Sequence, residues 1–161
     1  MFNLKAEFYL KIIFLFSFIA LISAFFIEYI LGHQPCNLCL IERIPYGLSI
    51  IIIMVIFLIR KNQKFLVMLL ILTFIFSFAI SFYHFGIEQG FFQESSVCGV
   101  KSSTEIVTKE DLLKQLSEKT ISCKDVTFRI FGLSLTSINI VISLLFIITL
   151  LKIFKKYEKN K

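Results

Sequence analysis

The stretch FLVMLLILTFIF, Phe65–Phe76, decides the fold. A half-buried strand alternates apolar and polar residues, and a helix on a soluble core is apolar along one stripe only. Here Thr73 is the one polar residue, so neither pattern applies. The apolar run continues to Phe85, and roughly 20 such residues cross a hydrocarbon core about 30 Å thick. Three more stretches behave alike: Ile12–Ile30, broken only by Glu28; Leu40–Ile59, uncharged from Ile44 onward; and Phe131–Leu151. The expectation is an all-α membrane protein, a four-transmembrane-helix bundle forming one integral membrane domain over residues 1–161. Composition agrees: 57% of residues are hydrophobic and 17% charged, with 20 Phe and no Trp, against roughly 45–50% and about 25% in soluble domains. These values exclude a disordered chain and a solvated α/β enzyme. The net charge of +6 does not signal nucleic acid, because the basic residues flank the apolar runs. The first run is longer than the core of a cleaved signal peptide and no A-x-A site follows, so it is expected to remain as a span.

Orientation follows from Lys and Arg in the short flanks. Lys5 and Lys11 precede the first span; Arg60, Lys61 and Lys64 fill the turn between the second and third; Lys152, Lys155, Lys156, Lys159 and Lys161 follow the fourth. These segments share one side, expected to be cytoplasmic with both termini. The outer side then carries residues 31–39 and the longer segment 86–130, where six basic residues meet seven acidic ones. Within it, Thr108-Lys-Glu-Asp111 resembles a helix start, with Leu112, Leu113 and Leu116 on one face.

All four cysteines, Cys36, Cys39, Cys98 and Cys123, fall in the two outer loops. Scattered structural cysteines would also populate the apolar spans. An even number confined to an oxidising face reads as two disulfides. Cys36-Asn-Leu-Cys39 is a C-x-x-C, whose short loop makes a poor staple but a common electron-exchanging thiol pair. Cys98 and Cys123 are 25 positions apart, a spacing that suits a staple or a shuttle. A four-thiolate zinc site would favour two close pairs, so no metal is expected. A thioredoxin-like domain has no room for its βαβ pattern.

The C-x-x-C lies at the mouth of the second span, and no dinucleotide-binding or haem-attachment motif accompanies it. A lipid-soluble quinone is the natural acceptor for electrons delivered there. If the second helix already includes Cys39, then Cys39 and Arg43 stand at i and i+4 on one face, and the guanidinium can reach both a thiolate and a quinone carbonyl. Pro45 can instead mark the true helix start, and Arg43 can equally be a snorkelling anchor. His84, at the outer end of the third span, is either an interface side chain or a group near the quinone head. Glu28 carries a weaker form of the same argument.

The segment Gln34-Pro-Cys-Asn-Leu-Cys-Leu-Ile-Glu-Arg43 resembles the active-site motif of the DsbB family of quinone-linked disulfide oxidoreductases. The resemblance continues in Tyr83-His84-Phe85-Gly86-Ile87-Glu88 and in Phe131-Gly132-Leu133-Ser134 after Cys123, and it covers nearly the whole chain. It implies a multi-pass protein of the bacterial inner membrane whose cysteine loops face the periplasm. It further implies a relay in which a DsbA-like periplasmic thiol oxidase attacks a Cys98–Cys123 disulfide, forming a mixed disulfide with Cys98. Electrons then pass to a Cys36–Cys39 disulfide and on to ubiquinone or menaquinone in the membrane pool. By the same resemblance Cys39 faces the quinone, Cys36 exchanges with the loop pair, Arg43 binds the quinone, and His84 lies near it. DsbA-like partners are strong oxidants, at about −120 mV, so the quinone must supply the drive.

Two other functions fit parts of the pattern. A vitamin K epoxide reductase-like enzyme also couples thiols to a quinone, but that family places its loop cysteines before the C-x-x-C. A non-catalytic scaffold with stapled outer loops predicts disulfides that resist partner thiols, with potentials below about −300 mV.

Overall fold

The computed structural model describes residues 4–59, 62–94, 98, 122–124, 129–130 and 132–159. Four helices carry the architecture: α1 (Leu4–Tyr29), α2 (Asn37–Leu58), α3 (Gln63–Glu88) and α4 (Leu135–Lys159). All four are long and apolar enough to cross a membrane. A two-residue antiparallel hairpin precedes α4, with β1 (Arg129–Ile130) pairing with β2 (Leu133–Ser134). The helix start expected at Thr108 lies outside the described residues.

Three boundaries differ from expectation for local reasons. The second helix starts at Asn37, because Cys36 caps it; Pro45 sits inside the helix and does not open it. The third runs on to Glu88, so His84 is helical. The fourth starts at Leu135 rather than Phe131. Gly132 holds a φ of +83°, which ordinary side chains resist and which turns the hairpin. Ser134 then caps α4, its Oγ accepting the Ser137 backbone N–H at 3.2 Å.

The helices pack in sequence, α1 on α2, α2 on α3 and α3 along α4. Leu10, Ile13, Ile53, Ile56, Val67, Leu70, Phe74 and Leu150 form the buried core at the end away from the cysteines. Phe146 ties three helices together, meeting Phe16 and Phe74 edge-on at 5.4 and 5.0 Å between ring centres. Outward-facing residues remain apolar: Leu15, Ile22, Ile51, Phe76, Val141 and Leu145 are all exposed. Such a surface in water would be an aggregation hazard, whereas hydrocarbon solvates it.

In lipid, apolar burial no longer drives helix association, so small and polar residues bring the helices together. Ser49 Oγ donates to Ser17 Oγ at 3.0 Å, joining α2 to α1. Ser143 Oγ donates to Ser77 Oγ at 3.1 Å, joining α4 to α3. Asn139 is the main junction, its Nδ2 donating to Ser81 Oγ at 2.7 Å and its Oδ1 accepting from the Tyr46 hydroxyl. Replacing Asn139 by Leu strands several buried polar groups and is expected to cost about 1–3 kcal/mol. The exposed Thr149, bonded only to its own helix, is expected to tolerate Val without measurable change. Thermal unfolding of the two variants in detergent checks the contrast.

Candidate active site

Cys36 is the N-cap of α2. Its backbone is extended, at φ −71° and ψ 164°, and its sulfur accepts the Cys39 backbone N–H at 3.3 Å. This cap makes Cys39 the third helical residue and puts Arg43 one turn further on the same face. The two sulfurs lie 2.8 Å apart as free thiols, against about 2.05 Å in a disulfide. The two sulfurs are thus adjacent, close enough to interchange between a dithiol and a disulfide. Cys98 and Cys123 are disulfide-bonded, with Cα atoms 5.6 Å apart. Glu94 holds the Cys123 segment, accepting from the Ser122 hydroxyl and from the Lys124 backbone N–H. Cys36, Cys98 and Cys123 are buried in one cluster with Leu38 and Ile87.

His84, only 2% exposed, links this cluster to the bundle interior. A carboxylate can only accept, so the 2.8 Å contact places a proton on His84 Nδ1, donated to Glu42 Oε1. Nε2 then faces Cys36 Sγ at 3.6 Å. The other oxygen of Glu42 accepts from Asn139 Nδ2 at 3.0 Å. Cys36, His84 and Glu42 thus stand in line, thiol to imidazole to carboxylate. Glu88, one turn beyond His84, accepts from Thr136 Oγ1 at 2.7 Å. Its second oxygen is buried without a hydrogen-bond partner among the described residues.

Cys36 lies just outside the α2 span, and its thiol is pulled from the ordinary 9.0 down to about 4. The hydrogen bond from the Cys39 thiol is the chief cause; His84 and the Cys39 backbone N–H add to it, and burial opposes it. Stabilising a thiolate stabilises the reduced pair, which makes the corresponding disulfide more oxidising.

Cys39 also borders a second space. A cavity of about 340 Å³ opens between α1, α2 and α4, walled by apolar side chains such as Phe16 and Ile19. Cys39, Glu42, Arg43, Tyr46 and Asn139 supply its polar wall. Arg43 is ion-paired with Glu28 of α1 and lies over the Phe25 ring, 5.3 Å from its centre. Cys36 and His84 are not among the lining residues. His84 is next to that wall, contacting Glu42 and Thr136 of the lining through Nδ1 and Cys36 through Nε2. Glu42, Glu88, Thr136 and Asn139 escaped the sequence reading. Their one local signal was polarity within or at the edge of apolar runs, which inside a membrane marks a residue worth a functional hypothesis.

The family model for disulfide bond formation protein DsbB matches residues 6–153. The chain belongs to the DsbB family. As a DsbB-family member it is a multi-pass membrane oxidoreductase of disulfide-bond formation. It is 32% identical over 147 residues to uncharacterized protein RP370 of Rickettsia prowazekii (strain Madrid E), covering 90% of this chain and 86% of that one. No solved structure matches. In this DsbB-family chain the Tyr83–Glu88 motif has a packing reason. A Cβ on Gly86 would collide with the Phe92 ring, which stacks on Tyr83 at 5.6 Å between centres.

Because the Cys39 thiol holds the Cys36 thiol well below its ordinary range, the alkylation rate of Cys36 in the reduced protein is expected to be flat from about pH 6 to 9, and in Cys39→Ala to climb with pH across that range as the thiol returns toward its ordinary pKa of about 8.5. The sign for stability follows. The reduced fold gains from this thiolate fully above pH 9.0 and loses that gain as pH falls toward about 4. His84→Ala removes one hydrogen bond to the thiolate, about 1.5–3 kcal/mol, so the Cys36–Cys39 couple is expected to become more reducing by about 30–60 mV. Equilibration with a thiol redox buffer measures it.

Proposed function

We propose that this protein reoxidises a DsbA-like periplasmic thiol oxidase and passes the electrons through two cysteine pairs to a membrane quinone. One observation carries the reading: the C-x-x-C lies between the buried Cys98–Cys123 disulfide and a lateral cavity. Cys36 is buried with the Cys98–Cys123 disulfide, and Cys39 lines the lateral cavity. Basic flanks put both termini in the cytoplasm and the cysteine loops in the periplasm.

The cavity's volume and its apolar wall with a few convergent polar groups suit a quinone head group. When bound, a quinone supplies a two-electron, two-proton acceptor, either ubiquinone or menaquinone. Arg43 reaches its carbonyl by moving its guanidinium from Glu28, and Phe25 keeps the cation in place. Cys39 presents its sulfur from the same wall.

The relay balances. A reduced partner thiolate attacks Cys98, breaking the Cys98–Cys123 bond, and the partner's second thiol then displaces Cys98 and leaves oxidised. The loop dithiol reduces the Cys36–Cys39 disulfide, with Cys36 departing as a thiolate that the Cys39 N–H and His84 stabilise. Reoxidation joins Cys36 to Cys39 and releases two electrons and two protons to the acceptor. His84, oriented by Glu42, lies against the Cys36 sulfur and can hold a proton there in transit to the acceptor.

The test is quinone reduction by the purified protein with a reduced DsbA-like donor. Turnover is expected with wild type and absent in Cys39→Ala; turnover retained in that variant removes the C-x-x-C from the reaction. Arg43→Ala is expected to raise the apparent quinone KM by about tenfold or more, the worth of one charge-assisted hydrogen bond. Cys98→Ala is expected to yield no covalent complex with the partner on non-reducing gels.

A further inference from the structure

We propose that the reduced site is also a binding site for a thiophilic divalent cation of the zinc class, held by Cys36, Cys39 and His84 with Glu88 completing the shell. This goes beyond the electron relay and does not depend on a quinone as acceptor. Cys36 Sγ, Cys39 Sγ and a ring nitrogen of His84 all lie within 4.8 Å of one another. In a tetrahedral site with bonds of about 2.3 Å to sulfur and about 2.05 Å to nitrogen, sulfur and nitrogen stand about 3.6 Å apart. Cys36 Sγ and His84 Nε2 are already 3.6 Å apart. The two sulfurs, now at 2.8 Å, need only open to about 3.8 Å.

The surroundings favour an ion in three ways. Glu42 accepts the Nδ1 proton of His84, the carboxylate–histidine arrangement that turns the Nε2 lone pair toward a metal and raises its basicity. Glu88 Oε1 stands 3.9 Å from that same nitrogen, and Oε2 is buried without a partner among the described residues. An orphaned carboxylate oxygen on the residue next to this imidazole is costly as it stands, and an ion drawing Glu88 in as a fourth ligand would satisfy it. Charge also fits, since two thiolates cancel a divalent ion in a setting where net charge is expensive.

Binding displaces the Cys39 thiol proton and any proton on His84 Nε2, with Cys36 already a thiolate, and changes no oxidation state. It also occupies both sulfurs, so the Cys36–Cys39 bond cannot form until the ion leaves. The oxidised pair has no thiolate to offer. The site therefore exists only in the reduced protein, and the cation would hold the enzyme in that state.

The test uses the full-length protein in detergent, reduced under anaerobic conditions, with Zn²⁺ in competition with a chromophoric chelator and Co²⁺ as the optical probe. The expected result is one equivalent bound, with thiolate-to-cobalt charge-transfer absorption, and none in the oxidised protein or in Cys36→Ser. His84→Ala and the near-isosteric Glu88→Gln are each expected to weaken Zn²⁺ binding at least tenfold, and Glu42→Gln by about 10–100-fold. Equal binding by the oxidised protein, or retained binding in Cys36→Ser, overturns the proposal. So does unchanged affinity in both Glu88→Gln and His84→Ala, which would leave the ion on the C-x-x-C alone.

Discussion

The hydrogen bond from the Cys39 backbone N–H to the Cys36 sulfur is the constraint on which the rest of the site depends. It satisfies one of the orphan donors at the start of α2, as any N-cap must. Because the capping atom is a redox sulfur, the same bond supports a thiolate. It also fixes where helical periodicity begins, and so places Cys39, Glu42, Arg43 and Tyr46 on the face that meets the cavity. A different cap residue would start the helix equally well and leave no chemistry there.

The bundle accepts several polar groups that hydrocarbon would penalise, and it spends them in two ways. Ser17, Ser49, Ser77 and Ser143 are buried at helix contacts, where their small size lets backbones approach and their hydroxyls pair. Glu42, His84, Asn139 and Tyr46 form a connected chain between the cysteine cluster and the cavity wall. Asn139 belongs to both sets, so the bond that holds α4 against α3 also fixes the orientation of Glu42. Packing and chemistry therefore share atoms, and the network resists removal of any one member.

Oxidising a DsbA-like partner is demanding, because that partner's own reduced form is strongly stabilised. A C-x-x-C can meet this demand only if its reduced form is stabilised as well. The Cys39 thiol, the Cys39 N–H and His84 all act on the Cys36 sulfur in that direction. The same lone pairs and thiolates make the reduced state attractive to a soft cation. The proposed oxidising role and the proposed cation site thus draw on one electrostatic environment.

Much of this protein is legible without its fold. Apolar runs of about 20 residues require membrane helices because hydrocarbon leaves backbone polar groups no other partner, and four such helices are present. The C-x-x-C and the Arg one turn beyond Cys39 were likewise readable from spacing, since i and i+4 share a helix face. Local chemistry moved the boundaries: Gly132 and Ser134 delayed α4 to Leu135, and the Cys36 cap carried α2 through Pro45. The partners of His84 were not legible, because Glu42, Cys36 and Thr136 lie 42, 48 and 52 positions away along the chain, and one-dimensional periodicity does not say which faces meet. Only the packing of α2, α3 and α4 brought His84 against Cys36, Glu42 and Thr136, because a buried imidazole must find partners for both nitrogens and those partners were within reach.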